Sequence, residues 1–121
     1  MKKSRELPDG RWYGLTLAQQ LVLVGKQVSR GLRWREKDKA ELCLKSANRA
    51  LELLGLTIDD PANSDRVKEL TQVREVLADY FLGENLCRTT PDLWRGWFDV
   101  FARAARSAGN RPGHVGPVPP G

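Results

Sequence analysis

The chain has 121 residues and a net charge of +5, from 20 Lys and Arg against 15 Asp and Glu. That length fits one domain with a single core and is too short for two. Two cysteines, Cys43 and Cys87, make no disulfide framework, and no apolar run approaches the roughly 18 residues of a membrane helix, which sets aside a disulfide-built secreted domain and a membrane-spanning one. The opening Met-Lys-Lys-Ser-Arg has the charge of a signal peptide. However, Gln19 and Gln20 break the apolar stretch Leu15 to Gly25 and no small-residue cleavage site follows, so we expect a soluble, cytoplasmic protein.

Residues 1–14 read as an irregular arm with a Pro8-Asp9-Gly10 turn. A first helix starts at Thr16, with Gln19 three residues on in capping-box spacing. Leu17, Leu21, Val24, Val28 and Leu32 follow at steps of four, three, four and four, which is one helical face. Gly31 weakens its end, and residues 33–37 leave open whether the first two helices run together.

Asp38 with Glu41 predicts the second start. Ala40, Cys43, Leu44, Ala47, Ala50, Leu51 and Leu54 share its apolar face, Cys43 reads as a small buried hydrophobe, and Gly55 is placed to end the helix. A polar connection with Asp60-Pro61 leads to a third helix over about 66–82, with Val67, Leu70, Val73, Leu77 and Phe81 as its stripe and Gly83 after it. Thr90-Pro91-Asp92 is a strong start for the fourth: a hydroxyl cap, a proline whose missing N–H costs nothing, and an acid at the positive dipole end. It runs to about Ala108 and buries Trp94, Phe98, Phe101 and Ala105, with Trp97 at the margin. The Gly/Pro-rich stretch 109–121 reads as a disordered tail. The expected fold is all-α, an antiparallel up-down four-helix bundle over 15–108 with an irregular N-terminal arm and a disordered C-terminal tail.

Catalysis has little to stand on. The single histidine, His114, falls in the tail, Cys43 and Cys87 lack a metal-binding partner set, and there is no Gly-rich phosphate loop. The carboxylates Glu75 and Asp79, on one face with Gln72, read as a solvated surface. We expect no enzyme, no cofactor and no metal.

Charge is uneven along the chain. Residues 1–54 carry 12 Lys and Arg against 6 Asp and Glu, residues 55–90 carry 4 against 7, and residues 91–121 carry 4 against 2. The first helix concentrates it: Lys26, Arg30, Arg33 and Lys37 fall within about 60° of one another, opposite the apolar face. Such a row suits a phosphate backbone, which releases counterions when neutralised. Trp34 between Arg33 and Arg35, and Trp12 beside Arg11, place aromatic rings among cations where unpaired bases could stack; each also suits a bundle edge. Lys45 and Arg49, one turn apart, extend the basic surface. Arg95, Arg103 and Arg106 have Asp99 among them and read as a salt-bridged face. Arg74 sits at the margin of the third apolar stripe, as a seam residue or half of an ion pair, and Leu23, Leu42 and Leu53 point outward, where a partner could cover them.

The segments Lys-Ser-Ala-Asn-Arg-Ala-Leu-Glu-Leu-Leu (45–54) and Arg-Glu-Val-Leu-Ala-Asp-Tyr-Phe (74–81), with the basic first helix, resemble a four-helix-bundle family. It includes the accessory variability determinant (Avd) of diversity-generating retroelements and the intervening-sequence proteins of 23S rRNA. The resemblance covers roughly 15–108 as helix pattern and charge, without a diagnostic motif. It implies a homo-oligomer, a ring of five being one form, that binds structured RNA or DNA beside a reverse transcriptase or another mobile-element protein. The Trp12-Tyr13 arm, the Trp-rich fourth helix and the proline-rich tail depart from that pattern. The expected function is non-enzymatic binding of nucleic acid, RNA before DNA, as an accessory of a ribonucleoprotein; the alternative is a protein–protein adaptor or antitoxin-like helical module.

Overall fold

The computed structural model describes residues 9–109, with side chains over 11–106; the predicted tail beyond Gly109 and His114 lie outside them. Among the described residues every regular element is helical, with no strand. Helix α1 (Asp9–Tyr13) is followed by α2 (Leu17–Glu36), α3 (Ala40–Asp59), a 3-10 turn (Pro61–Arg66), α4 (Val67–Phe81) and α5 (Pro91–Gly109). No helix among them is long and apolar enough to cross a membrane.

The start of α2 is the predicted one. Thr16 Oγ1 accepts from the Gln19 N–H at 3.1 Å while Gln19 Oε1 accepts from the Thr16 N–H at 2.8 Å, so both halves of the capping box are made. Helix α2 then runs through Gly31, which is buried mid-helix, and a Cβ there would lie 3.1 Å from the Phe81 ring. Close packing of α2 on its neighbours is therefore what this glycine supplies, in place of a helix end. The two long helices are not continuous. Residues 37–39 turn the chain with Asp38 at φ 58°, a left-handed conformation that aspartate tolerates. Asp38 is thus the turn residue and not the predicted cap.

Helix α3 corrects two further expectations. It passes Gly55, around which a Cβ would meet nothing within 4 Å, and stops at Asp59, because Pro61 drives Asp60 into extended backbone (φ −70°, ψ 120°). The Asp60 carboxylate then caps the 3-10 turn by accepting from the Ala62 N–H at 3.0 Å. Leu53, expected outside, is buried, while Leu44, expected inside, is exposed. Helix α3 packs against α1, α2, the 3-10 turn and α4, so its buried arc is wide and displaced from the one its own apolar periodicity suggests. Helix α5 packs on the other side of α2, with Trp94, Phe98 and Phe101 buried as predicted. Thr90 Oγ1 caps it by accepting from the Leu93 N–H at 3.1 Å.

The arm is the largest correction. Residues 9–13 form a helical turn, and Trp12 is 0% exposed inside the core formed by α2, α3, α4 and α5. Around it lies a buried polar network. Gln20 Nε2 donates to the Trp12 carbonyl at 3.0 Å and to Asp60 Oδ2 at 2.8 Å, and Gln20 Oε1 accepts from Asn63 Nδ2 at 3.0 Å. Asn63 Nδ2 also donates to the Thr57 carbonyl at 2.9 Å. One glutamine thus ties α1, the end of α3 and the 3-10 turn to α2.

The loop between α4 and α5 hangs on Asp79, which the sequence placed on a solvated face. Its carboxylate accepts from the Leu86 and Cys87 N–H groups, both at 2.9 Å, and it is half-buried. The Cys87 amide first, then the Leu86 amide, hold its carboxyl below the usual carboxylate range. A folded-state value below the unfolded one means that this stabilisation is complete above the unfolded pKa. It is lost as the pH falls from about 4 through the folded value. Asp79→Asn is therefore expected to raise hydrogen exchange at the Leu86 and Cys87 amides at neutral pH and to remove part of the acid dependence of unfolding; unchanged exchange at both amides would contradict the capping role. Local desolvation and the Asp79 charge push the Cys87 thiol up, which keeps it protonated and poorly nucleophilic.

Candidate nucleic-acid interface

The basic row of α2 is exposed and lies beside α5. Lys26, Arg30 and Arg33 form one wall of a groove of about 600 Å³ whose other wall is α5, with Arg95, Asp99 and Arg106. The groove exists because α5 comes close to α2 at Gly25, where a Cβ would lie 3.0 Å from Phe98 Cβ. Side chains on either side of that contact, at Ser29, Val22 and Ala102, are small enough to leave a trough.

Charge in the groove is strongly one-sided. Arg95 is engaged, with Glu36 at 3.2 Å and Asp92 at 3.9 Å. Asp99 is held by Arg103 at 2.8 Å. The predicted salt-bridged face of α5 is therefore made by Arg95 and Arg103, while Arg106 turns into the groove instead. Among the described residues, Lys26, Arg30, Arg33 and Arg106 have no ion pair. Lys26 and Arg30 stand at i,i+4 and Arg30 and Arg33 at i,i+3, so the row is self-repelling in the free protein.

The other predicted site residues are not brought into this groove. Arg35 lies on the opposite side of α2, its guanidinium 4.6 Å from the Tyr80 ring centroid and 5.6 Å from that of Phe81, and it donates to the Tyr80 carbonyl at 3.3 Å. It fastens α2 to α4. Lys37 stands past the end of α2 with its Nζ 5.9 Å from the Trp34 ring centroid, and Trp34 is half-buried there. Arg49 pairs with Glu52 at 3.0 Å, whereas Lys45 and Arg11 are exposed away from the groove lining. Trp12, proposed as a stacking ring, is sealed in the core and unavailable to a base. Arg74, left open between two roles, donates from Nε to the Leu51 carbonyl at 3.1 Å and is a seam residue between α4 and α3. Sequence reasoning missed the contribution of α5. The signal was present in the unpaired Arg106, but only the docking of α5 on α2 shows which wall it joins.

Among the described residues, no three His, Cys, Asp or Glu side chains are placed to hold a metal ion. No protein-family model, no curated protein and no solved structure matches this chain.

Proposed function

We propose that the chain binds nucleic acid, RNA in preference to DNA, at the α2–α5 groove and catalyses no reaction. The observation that carries this reading is a set of four cations that have no ion pair among the described residues, Lys26, Arg30 and Arg33 on one wall and Arg106 on the other. A protein gains no stability from holding like charges together, whereas a phosphate backbone laid among them releases its counterions. RNA is favoured because the cations line a cleft and do not ride on a protruding helix, and RNA supplies unpaired strands that enter clefts. The helices are read as an antiparallel up-down bundle, and the chain as an accessory of a ribonucleoprotein. The retroelement setting and the homo-oligomer rest on the sequence resemblance alone.

The adaptor reading keeps one observation in its favour: Leu93 and Val100 on α5 are 49% and 46% exposed and share a face with Trp97. Fluorescence anisotropy with a labelled single-stranded RNA, repeated from low to physiological salt, separates the two. Four phosphate contacts predict a slope of log affinity against log salt of about −3 for a single strand. A chain that forms protein complexes but shows no salt-dependent RNA binding would be the adaptor.

A further inference from the structure

The cationic trough does not end at Lys26. Past Val22, Ala102 and Arg106, which line both, it opens into a second hollow of about 350 Å³ walled by Leu15, Leu23 and Ala105, with Gln19 at its edge. These four residues are all half-buried, so the hollow is open to a ligand. Its walls are apolar and its polar groups are few, the pattern of a site that takes a flat, largely apolar group and orients it with one or two hydrogen bonds.

The orientation of Gln19 is fixed by its capping role. Its Oε1 is committed to the Thr16 N–H at 2.8 Å, which leaves the Nε2 amino group as the free end, a pure donor. Arg106 is also a pure donor. The polar side chains of the hollow are therefore donors only, beside apolar walls, at the end of a row of cations. We propose that it holds one unstacked nucleobase, with carbonyl acceptors on its edge, of a single strand whose phosphates follow Lys26, Arg30 and Arg33. This rests on the nucleic-acid reading above and goes beyond it in naming the strand state: a base inside a duplex is stacked and paired and cannot enter, so the site selects single-stranded over double-stranded RNA.

The test uses the full chain and three probes of equal backbone length: a twelve-nucleotide oligouridine, an abasic twelve-mer with the same backbone, and a twelve-base-pair RNA duplex. Oligouridine is expected to bind about tenfold more tightly than the abasic strand, the worth of a hydrogen-bonded, sheltered base, and more tightly than the duplex. Two variants locate the effect. Ala105→Phe fills the hollow. Gln19→Glu keeps the capping-box acceptor, and so the helix start, while it removes the donor. Both should erase most of the oligouridine preference, with circular dichroism confirming that the helices persist, and should change abasic-strand affinity much less; because Gln19→Glu also adds a negative charge, the ratio of the two affinities is the deciding quantity. Equal binding of all three probes, or a preference untouched by both variants, would overturn the base site and leave the groove reading intact. Absence of binding to every probe would overturn both.

Discussion

Trp12→Ala is expected to cost about 3–5 kcal/mol, the range for removing a large buried aromatic side chain. The residue lies in a stretch that resembles a loose arm in the sequence, yet its indole is fully buried among α2, α3, α4 and α5. Its carbonyl also accepts from Gln20, so a chain that cannot seat the ring loosens the hold of α1 on the Gln20–Asp60–Asn63 network. In a domain of this size about 4 °C of melting temperature corresponds to 1 kcal/mol, so the thermal midpoint should fall by more than about 10 °C. Trp12→Phe should behave differently. The indole Nε1 is buried without a partner among the described residues, and an unmet buried donor is itself unfavourable by about 1–3 kcal/mol. Phenylalanine loses volume but removes that donor, and its cost should stay below about 1.5 kcal/mol. A small loss for the alanine variant, measured by circular dichroism melts, would mean that α1 is not part of the core.

The second large effect concerns binding and leaves the fold alone. Lys26→Glu, Arg30→Glu and Arg33→Glu together should lower affinity for single-stranded RNA by on the order of 100-fold and flatten its salt dependence, since each cation lost from a contact to a single strand reduces the salt slope by about 0.7. All three positions are exposed and have no ion pair among the described residues, so the stability change at each should stay within about 0.5 kcal/mol. The three carboxylates repel one another as the cations did, and pairing of Arg106 with them offsets part of that repulsion. A variant that melts normally and no longer binds separates function from folding.

The boundaries that sequence reasoning placed well are those fixed by local chemistry. Thr16 with Gln19 and Thr90 with Pro91 supply their own caps, and neither depends on what the helix packs against. It failed where tertiary structure decides. Gly55 looks like a stop, but the Asp60-Pro61 pair is the stronger one, because proline restricts the residue before it while a glycine inside a helix costs only about 1 kcal/mol. Leu53 looks outward by periodicity, and the elements packed around α3 bury it. Trp12 belongs to a helix of five residues, too short for any periodic pattern to reveal. The candidate site divides in the same way. Its α2 wall is readable as a spacing of four and three, while its α5 wall is set by how Phe98 seats at Gly25. Arg35 follows Trp34 directly and looks like one more cation of the row, but one residue turns the helix by about 100°, which carries it to the face that meets Tyr80 and Phe81.

That the groove, and not the overall positive charge, binds RNA is tested most directly by two triple variants of identical net charge. One carries Lys26→Glu, Arg30→Glu and Arg33→Glu; the other carries Lys39→Glu, Lys45→Glu and Lys68→Glu, at exposed positions outside the groove. Dissociation constants for one single-stranded RNA at one salt concentration are compared. The groove assignment predicts a loss of on the order of 100-fold for the first variant and less than about tenfold for the second. Equal losses in the two would show that binding follows net charge and would contradict it.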